Sequence, residues 1–213
     1  MTVARKDLRL VFPTPVFRFD IAADVAREVD AAFLAALGAA VDLANVPPHA
    51  MHQTQTDLHL GDRFERFQGV ALNAVRGASI ACGWRDADYV MTGLWLNASG
   101  RHVTHRSHFH PNNLFSGVYY VRVAAGGDQI AFEDPRPQAP MMRIPGEQGT
   151  FMYDQYLERV RDGALVIFPS WLRHHVPANE SDVVRISAAF NFMVRGYAER
   201  HAAPEWAGNL RLP

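Results

Sequence analysis

The chain has 213 residues, 48% of them hydrophobic, enough for one compact domain with its own core. A formal net charge of −1 provides no overall attraction to polyanions, so neither nucleic acid nor an anionic membrane is indicated as a partner. Cys82 is the only cysteine, which excludes an intrachain disulfide; residues 1–12 hold no apolar run of signal-peptide length and no segment approaches the ~18 to 20 residues of a membrane helix, so the expected location is the cytoplasm.

Residues 8–21 read as a strand, with Leu10, Phe12, Val16, Phe17 and Phe19 interrupted by Pro13 and Pro15, which confine it to a sheet edge. Asp24 stands as a candidate N-cap for a helix in which Val25, Val29, Phe33, Leu34 and Leu37 recur at helical spacing up to Gly38. Residues 45–62 are polar, contain proline and show no period, so a long loop is expected there. Phe64, Phe67, Val70, Ala71, Ala74 and Val75 then predict a second helix ending near Gly83.

Beyond Gly83 the period falls to two. Residues 89–97, 115–123, 129–132, 164–168 and 183–194 are short, rich in β-branched and aromatic side chains, and bounded by Gly, Pro, Asn or Asp. No long helix separates them, which predicts antiparallel pairing. The expected fold is mainly β with flanking helices: a small barrel or jelly roll with both helices on one outer face. No repeat or linker divides the chain, so a single domain is expected over residues 1–213, its helical part at about 20–83 and its barrel at about 89–195.

Ten histidines are the unusual feature, and four of them, His102, His105, His108 and His110, fall within nine positions. In an extended segment alternate side chains share a face, so His108 and His110 point the same way, as two ligands of one metal must. His102 shares that parity but is too far along, and His105 faces oppositely unless the backbone near Pro111 is irregular; both read as supporting or surface residues. A third ligand must come from a distant strand. The apolar run 164–168 ends at Pro169 and leads to adjacent His174 and His175, of which only one can point inward.

Arg185 opens the last strand, and an arginine there needs an anionic partner, since an unpaired buried charge is costly. Ser187 shares its face; together they can grip a carboxylate, the guanidinium in two-pronged fashion and the hydroxyl by one hydrogen bond.

These residues carry a resemblance. Trp95-Leu-Asn97, Ser107-His108-Phe-His110-Pro111, Ser116-Gly-Val-Tyr119-Tyr120-Val121, Phe132-Glu-Asp-Pro-Arg136, Phe168-Pro-Ser-Trp171-Leu-Arg-His174-His-Val176 and Arg185-Ile-Ser187 together resemble the small bacterial 2-oxoglutarate/iron(II) oxygenases of the prolyl-hydroxylase-like branch. The resemblance covers residues 95–191, with a weaker echo at 10–16. It implies a double-stranded β-helix, or jelly roll, with iron(II) at its mouth, 2-oxoglutarate as co-substrate, molecular oxygen as oxidant, and a small-molecule or peptide substrate that becomes hydroxylated. It further implies His108 and His174 as iron ligands, Arg185 and Ser187 on the distal carboxylate of 2-oxoglutarate, Tyr120 hydrogen-bonded to that carboxylate, and Asn97 in the co-substrate pocket. One position departs: the superfamily's usual motif is His-x-Asp or His-x-Glu, and the third ligand here is His110. Three neutral imidazoles leave iron(II) its full double charge, which a 2-oxoglutarate dianion balances.

Several readings compete with these. His175 competes with His174, and Glu133 or Asp134 could supply a carboxylate ligand, although Glu133-Asp-Pro-Arg136 reads first as a turn. Tyr119, Trp171 and the Met141-Met142 pair read as packing, and residues 45–62 and 135–162 as pocket walls. A cupin-like metal enzyme that does not use 2-oxoglutarate shares the barrel and the His-x-His, but cupins place a glutamate where this chain has Leu114. A non-catalytic barrel holding structural zinc would be closed by four protein ligands, often with cysteine, and Cys82 lies far from the cluster. Composition leaves the oligomeric state open.

Overall fold

The computed structural model describes residues 7, 10–84, 87–137 and 154–197. In chain order it contains β1 (Phe17–Asp20), α1 (Ala23–Gly38), β2 (Met51–Gln53), two short 3-10 turns (Leu58–Leu60 and Asp62–Phe64), α2 (Glu65–Ala81), β3 (Tyr89–Ser99), β4 (His105–His108), β5 (Phe115–Arg122), β6 (Gln129–Glu133), β7 (Gln155–Arg159), β8 (Ala164–Pro169), β9 (His174–Val176) and β10 (Arg185–Val194). Two antiparallel sheets result, one of six strands in the order β1-β8-β5-β10-β3-β2 and one of four in the order β4-β9-β6-β7. The architecture is a double-stranded β-helix with two helices on its outside. No helix among the described residues is long and apolar enough to cross a membrane.

The six-stranded sheet is buried on both faces, and period two decides which side chain goes where. On β8, Leu165 and Ile167 join the helix-facing core, while Ala164, Val166 and Phe168 join the core between the sheets. This double burial is why the strand reads as an uninterrupted apolar run. On β10, Ile186, Ala188, Phe190 and Phe192 pack toward the helices, leaving Arg185, Ser187 and Ala189 to the barrel interior. The helices reach this face through Val29, Phe33 and Leu37 of α1 and Phe67, Ala71, Ala74, Val75 and Ala78 of α2. Gly117 on β5 is fixed by the packing, because a Cβ there would stand 2.3 Å from the Phe190 ring.

Several expectations change in the fold. The first strand is confined to Phe17–Asp20, beginning after both prolines, and it lies at a sheet edge. Asp24 is not the N-cap of α1: Ala22 holds that position without a side-chain bond, and Asp24 lies in the first turn, where its charge favours the helix dipole. Residues 45–62 are not wholly loop, since Met51–Gln53 adds a strand to the edge of β3. Such short additions have no sequence period of their own. Strands β4, β7 and β9 are also short, at four, five and three residues, and β7 falls inside the 135–162 segment, of which residues 138–153, with Met141 and Met142, lie outside the described residues. Trp171 is not packed; 55% of its surface is exposed.

Candidate functional site

The two sheets meet in a pocket lined by Trp95, Asn97, His105, His108, His110, Gly117, Val118, Tyr120, Ile130, Phe168, His174, Val176, Arg185, Ser187 and Ala189. Three histidines converge on its mouth. The ligand-capable nitrogens of His108, His110 and His174 all lie within 4.8 Å of one another, and among the described residues no other such cluster is found. His108 and His174 are direct register partners on β4 and β9, with ring centroids 4.3 Å apart; His110 stands 5.0 Å from the former and 5.3 Å from the latter.

Two of the rings are aimed by the same local device. The Nδ1–H of His108 donates to the Arg106 carbonyl at 2.7 Å, and that of His174 donates to the Leu172 carbonyl at 2.9 Å. Each bond fixes the tautomer in which Nε2 carries the free lone pair, as a metal-ligating imidazole requires. His174 is buried against Phe168 and Phe132, and its pKa is lowered to about 3, first by burial and then by the neighbouring imidazoles. His110 is lowered to about 4 by burial and His108. Both rings are therefore neutral at neutral pH, the form that binds metal.

His110 lies beyond the end of β4 and is held through its backbone. Its N–H donates to the Ser170 carbonyl at 2.9 Å. The Ser170 hydroxyl pairs with that of Ser116 at 2.8 Å, and Ser116 donates to Asn191 Oδ1 at 2.7 Å, all within the barrel. This buried chain ties the His110 loop to β5, β8 and β10. Sequence reading missed these three residues; their only signal is a polar side chain at an inward position of β5 and of β10 and one just past the end of β8.

Deeper in the pocket lies a patch of unsatisfied polarity. Ser187 on β10 is in register with Asn97 on β3 and with Tyr120 on β5, so the three sit side by side across the floor. Arg185 is only 3% exposed; one terminal nitrogen donates to the Pro177 carbonyl at 3.2 Å, while Nη2 has no partner. Tyr120 Oη and Asn97 Oδ1 are likewise buried without partners. Burial lowers the pKa of Arg185, yet a guanidinium remains cationic at neutral pH, and burial keeps the Tyr120 hydroxyl protonated as a donor. Unsatisfied groups of this kind are costly unless a ligand completes them. No Asp or Glu lines the pocket among the described residues, so Arg185 is its sole full charge and the electrostatics of the cavity favour an anion.

The competing residues are placed elsewhere. His175 points to the outer side, 3.7 Å from Glu133. Glu133 also faces Arg173, and Asp134 is occupied by Arg136. His102 pairs with Glu180 at 3.2 Å outside the pocket. His105 corrects the parity argument: it lines the pocket instead of facing away, because the β4–β9 register shifts between His105 and His108. Such a bulge inverts strand alternation locally, and nothing in the sequence marks it.

Fold and site together define a double-stranded β-helix with a three-histidine cluster facing a buried cationic floor. Residues 93–191 match the sequence family described as "Putative 2OG-Fe(II) oxygenase". Over this segment, just under half of the chain, the sequence is similar to the 2OG-Fe(II) oxygenases, enzymes whose cofactors are iron and 2-oxoglutarate. No curated protein matches the chain in sequence. Among solved structures, the non-haem α-ketoglutarate-dependent epimerase SnoN from nogalamycin biosynthesis superposes with a TM-score of 0.63 at 14% identity, over 85% of this chain and 78% of that one. A Pseudomonas putida prolyl-4-hydroxylase gives 0.56 at 16% identity, over 86% and 94%. HygX from Streptomyces hygroscopicus, solved with nickel and 2-oxoglutarate bound, gives 0.57 at 10% identity, over 85% and 83%. At these identities the likeness establishes the fold.

Proposed function

We propose that the protein hydroxylates an aliphatic carbon of a small-molecule or peptide substrate, with iron(II) held by His108, His110 and His174 and 2-oxoglutarate held by Arg185, Ser187, Tyr120 and Asn97. The observation that carries this reading is the partnerless Nη2 of buried Arg185, on the same inward face as Ser187, in one pocket with the three-histidine cluster. The donor set fits both groups. Three neutral imidazoles suit iron(II) and leave positions open for other ligands, and the guanidinium with two hydroxyls suits a carboxylate.

When bound, iron(II) and 2-oxoglutarate supply the oxidant, dioxygen being divided between succinate, formed with loss of carbon dioxide, and the substrate's new hydroxyl. The chain's own share is placement. The carbonyl bonds to His108 and His174 orient the ligating nitrogens, and the Ser116–Ser170–Asn191 chain holds the His110 loop. Arg185 sets the direction of the co-substrate by accepting its far carboxylate at the pocket floor, while Val118, Ile130, Phe168 and Ala189 exclude water from the interior. Exposed Phe109 and Trp171, beside His110 and Ser170, form the rim that a substrate meets. A single domain, a cytoplasmic location and an open oligomeric state belong to the same reading, supported by the lone Cys82 and by the six-stranded sheet that both apolar cores share.

The test is anaerobic reconstitution. The protein should bind one equivalent each of iron(II) and 2-oxoglutarate, and on admission of oxygen convert 2-oxoglutarate to succinate, slowly without substrate. Binding of iron with no measurable affinity for 2-oxoglutarate would instead favour the cupin-like reading.

A further inference from the structure

The pocket wall holds a fourth imidazole that neither the metal cluster nor the floor uses. The register shift in the β4–β9 pairing turns His105 to the same side as His108, and it lines the pocket together with Arg185 and Ser187. The three clustered rings stand 4.3–5.3 Å apart, centroid to centroid, whereas among the described residues the His105 ring stacks on none of them and its nitrogens take no hydrogen bond. It is in register with Val176, whose neighbour Pro177 supplies the carbonyl to which Arg185 donates, and it stands three residues before His108 on β4. His105 therefore lies along the pocket between the metal-facing end and the guanidinium end.

The two walls matter. Arg185 and Ser187 belong to the six-stranded sheet, as does Tyr120, and His105 to the four-stranded one. A carboxylate seated on Arg185 is thus met by the floor from one side and by His105 from the other. Burial, aided by Arg185 and His108, lowers the pKa of His105 to about 4, so at neutral pH it is a neutral ring with one N–H to donate.

We propose that His105 is a further binding residue for the co-substrate, donating a hydrogen bond from the opposite wall to the distal carboxylate that Arg185 receives. This inference rests on the reading of the pocket as a 2-oxoglutarate site. It makes His105 a determinant of which 2-oxo acid the enzyme accepts.

The experiment compares two ligands that share the chelating 2-oxo acid end: 2-oxoglutarate, and 2-oxobutyrate, which lacks the distal carboxylate. Each is titrated calorimetrically into the anaerobic iron(II)-loaded protein, as wild type, His105→Phe, His105→Gln and Arg185→Ala. His105→Phe should weaken 2-oxoglutarate by about ten- to hundredfold, the usual worth of a hydrogen bond to a charged group, with 2-oxobutyrate affinity and iron content unchanged. His105→Gln, which restores an N–H, should recover part of the loss and serves alone if the Phe variant does not fold. An equal loss for both ligands, or no loss, overturns the role of His105. A wild type that does not prefer 2-oxoglutarate over 2-oxobutyrate overturns the carboxylate grip itself, and Arg185→Ala marks that outcome by removing the preference.

Discussion

His108 and His174 face each other as register partners across two antiparallel strands, each with its Nδ1–H on the carbonyl two residues back. The pairing makes the juxtaposition of these two imidazoles a property of the sheet, so the candidate site is pre-formed to the extent that the sheet is.

The first prediction concerns ligand identity. His174→Ala should lose metal while the neighbouring His175→Ala keeps it, since His175 points at Glu133 outside the pocket. Residues that merely support ligands are worth about 10- to 100-fold in metal affinity, so loss of His174 itself should exceed that. Iron per protein after desalting, with circular dichroism to verify folding, provides the measurement; full iron occupancy in His174→Ala would remove it from the site.

Arg185 separates stability from function. Its guanidinium is buried with one nitrogen unsatisfied, so it costs the empty protein desolvation energy and returns it only with an anion present. Arg185→Met should leave the melting temperature of the ligand-free protein unchanged or raised. The same variant should lose about 1.5–3 kcal/mol of 2-oxoglutarate binding and with it the thermal shift that the co-substrate produces in wild type. A drop in ligand-free stability would mean that the residue is structural.

Stability should depend on pH in a defined window. Burial lowers His105 and His110 to about 4 and His174 to about 3, against 6.5 for free histidine. Between about pH 6.5 and 4 the unfolded chain therefore binds protons that the folded chain does not, and folding stability rises with pH. The contribution is complete above 6.5 and is lost as the pH falls through 4 toward 3. Chemical denaturation of metal-free protein at a series of pH values should show this slope, and His105→Phe should make it shallower.

The chain from His110 to Asn191 predicts an effect at a distance from any ligand. Ser116→Ala breaks two hydrogen bonds and leaves Ser170 and Asn191 short of partners in the interior, a loss of about 1–3 kcal/mol. It should also loosen the His110 loop and weaken metal binding by about 10-fold or more. Denaturation midpoint and metal affinity, measured together, check both parts; a destabilised variant with unchanged metal affinity would show that the chain serves the fold alone.

Much of this protein is determined by its sequence alone, wherever a period repeats or a residue type is chemically rare. The helical spacing from Val25 to Leu37 and the alternation in β3, β5, β8 and β10 specify helices and strands, because one face of each must be apolar. The pairing of His108 with His110, and of Arg185 with Ser187, follows from the same alternation, and all four line one pocket. Only the tertiary structure decides what depends on partners far along the chain. The short strands β2, β4, β7 and β9 exist because a neighbouring edge offers hydrogen bonds, which no local pattern records. Which of His174 and His175 faces the pocket is decided by register against β4 and β6, and the inward turn of His105 by a bulge that parity cannot foresee. Ser116, Ser170 and Asn191 look like unremarkable polar residues until three strands bring them together. Side-chain alternation is a local consequence of backbone geometry, whereas register, bulges and buried polar contacts arise only when separate strands compete for the same hydrogen bonds.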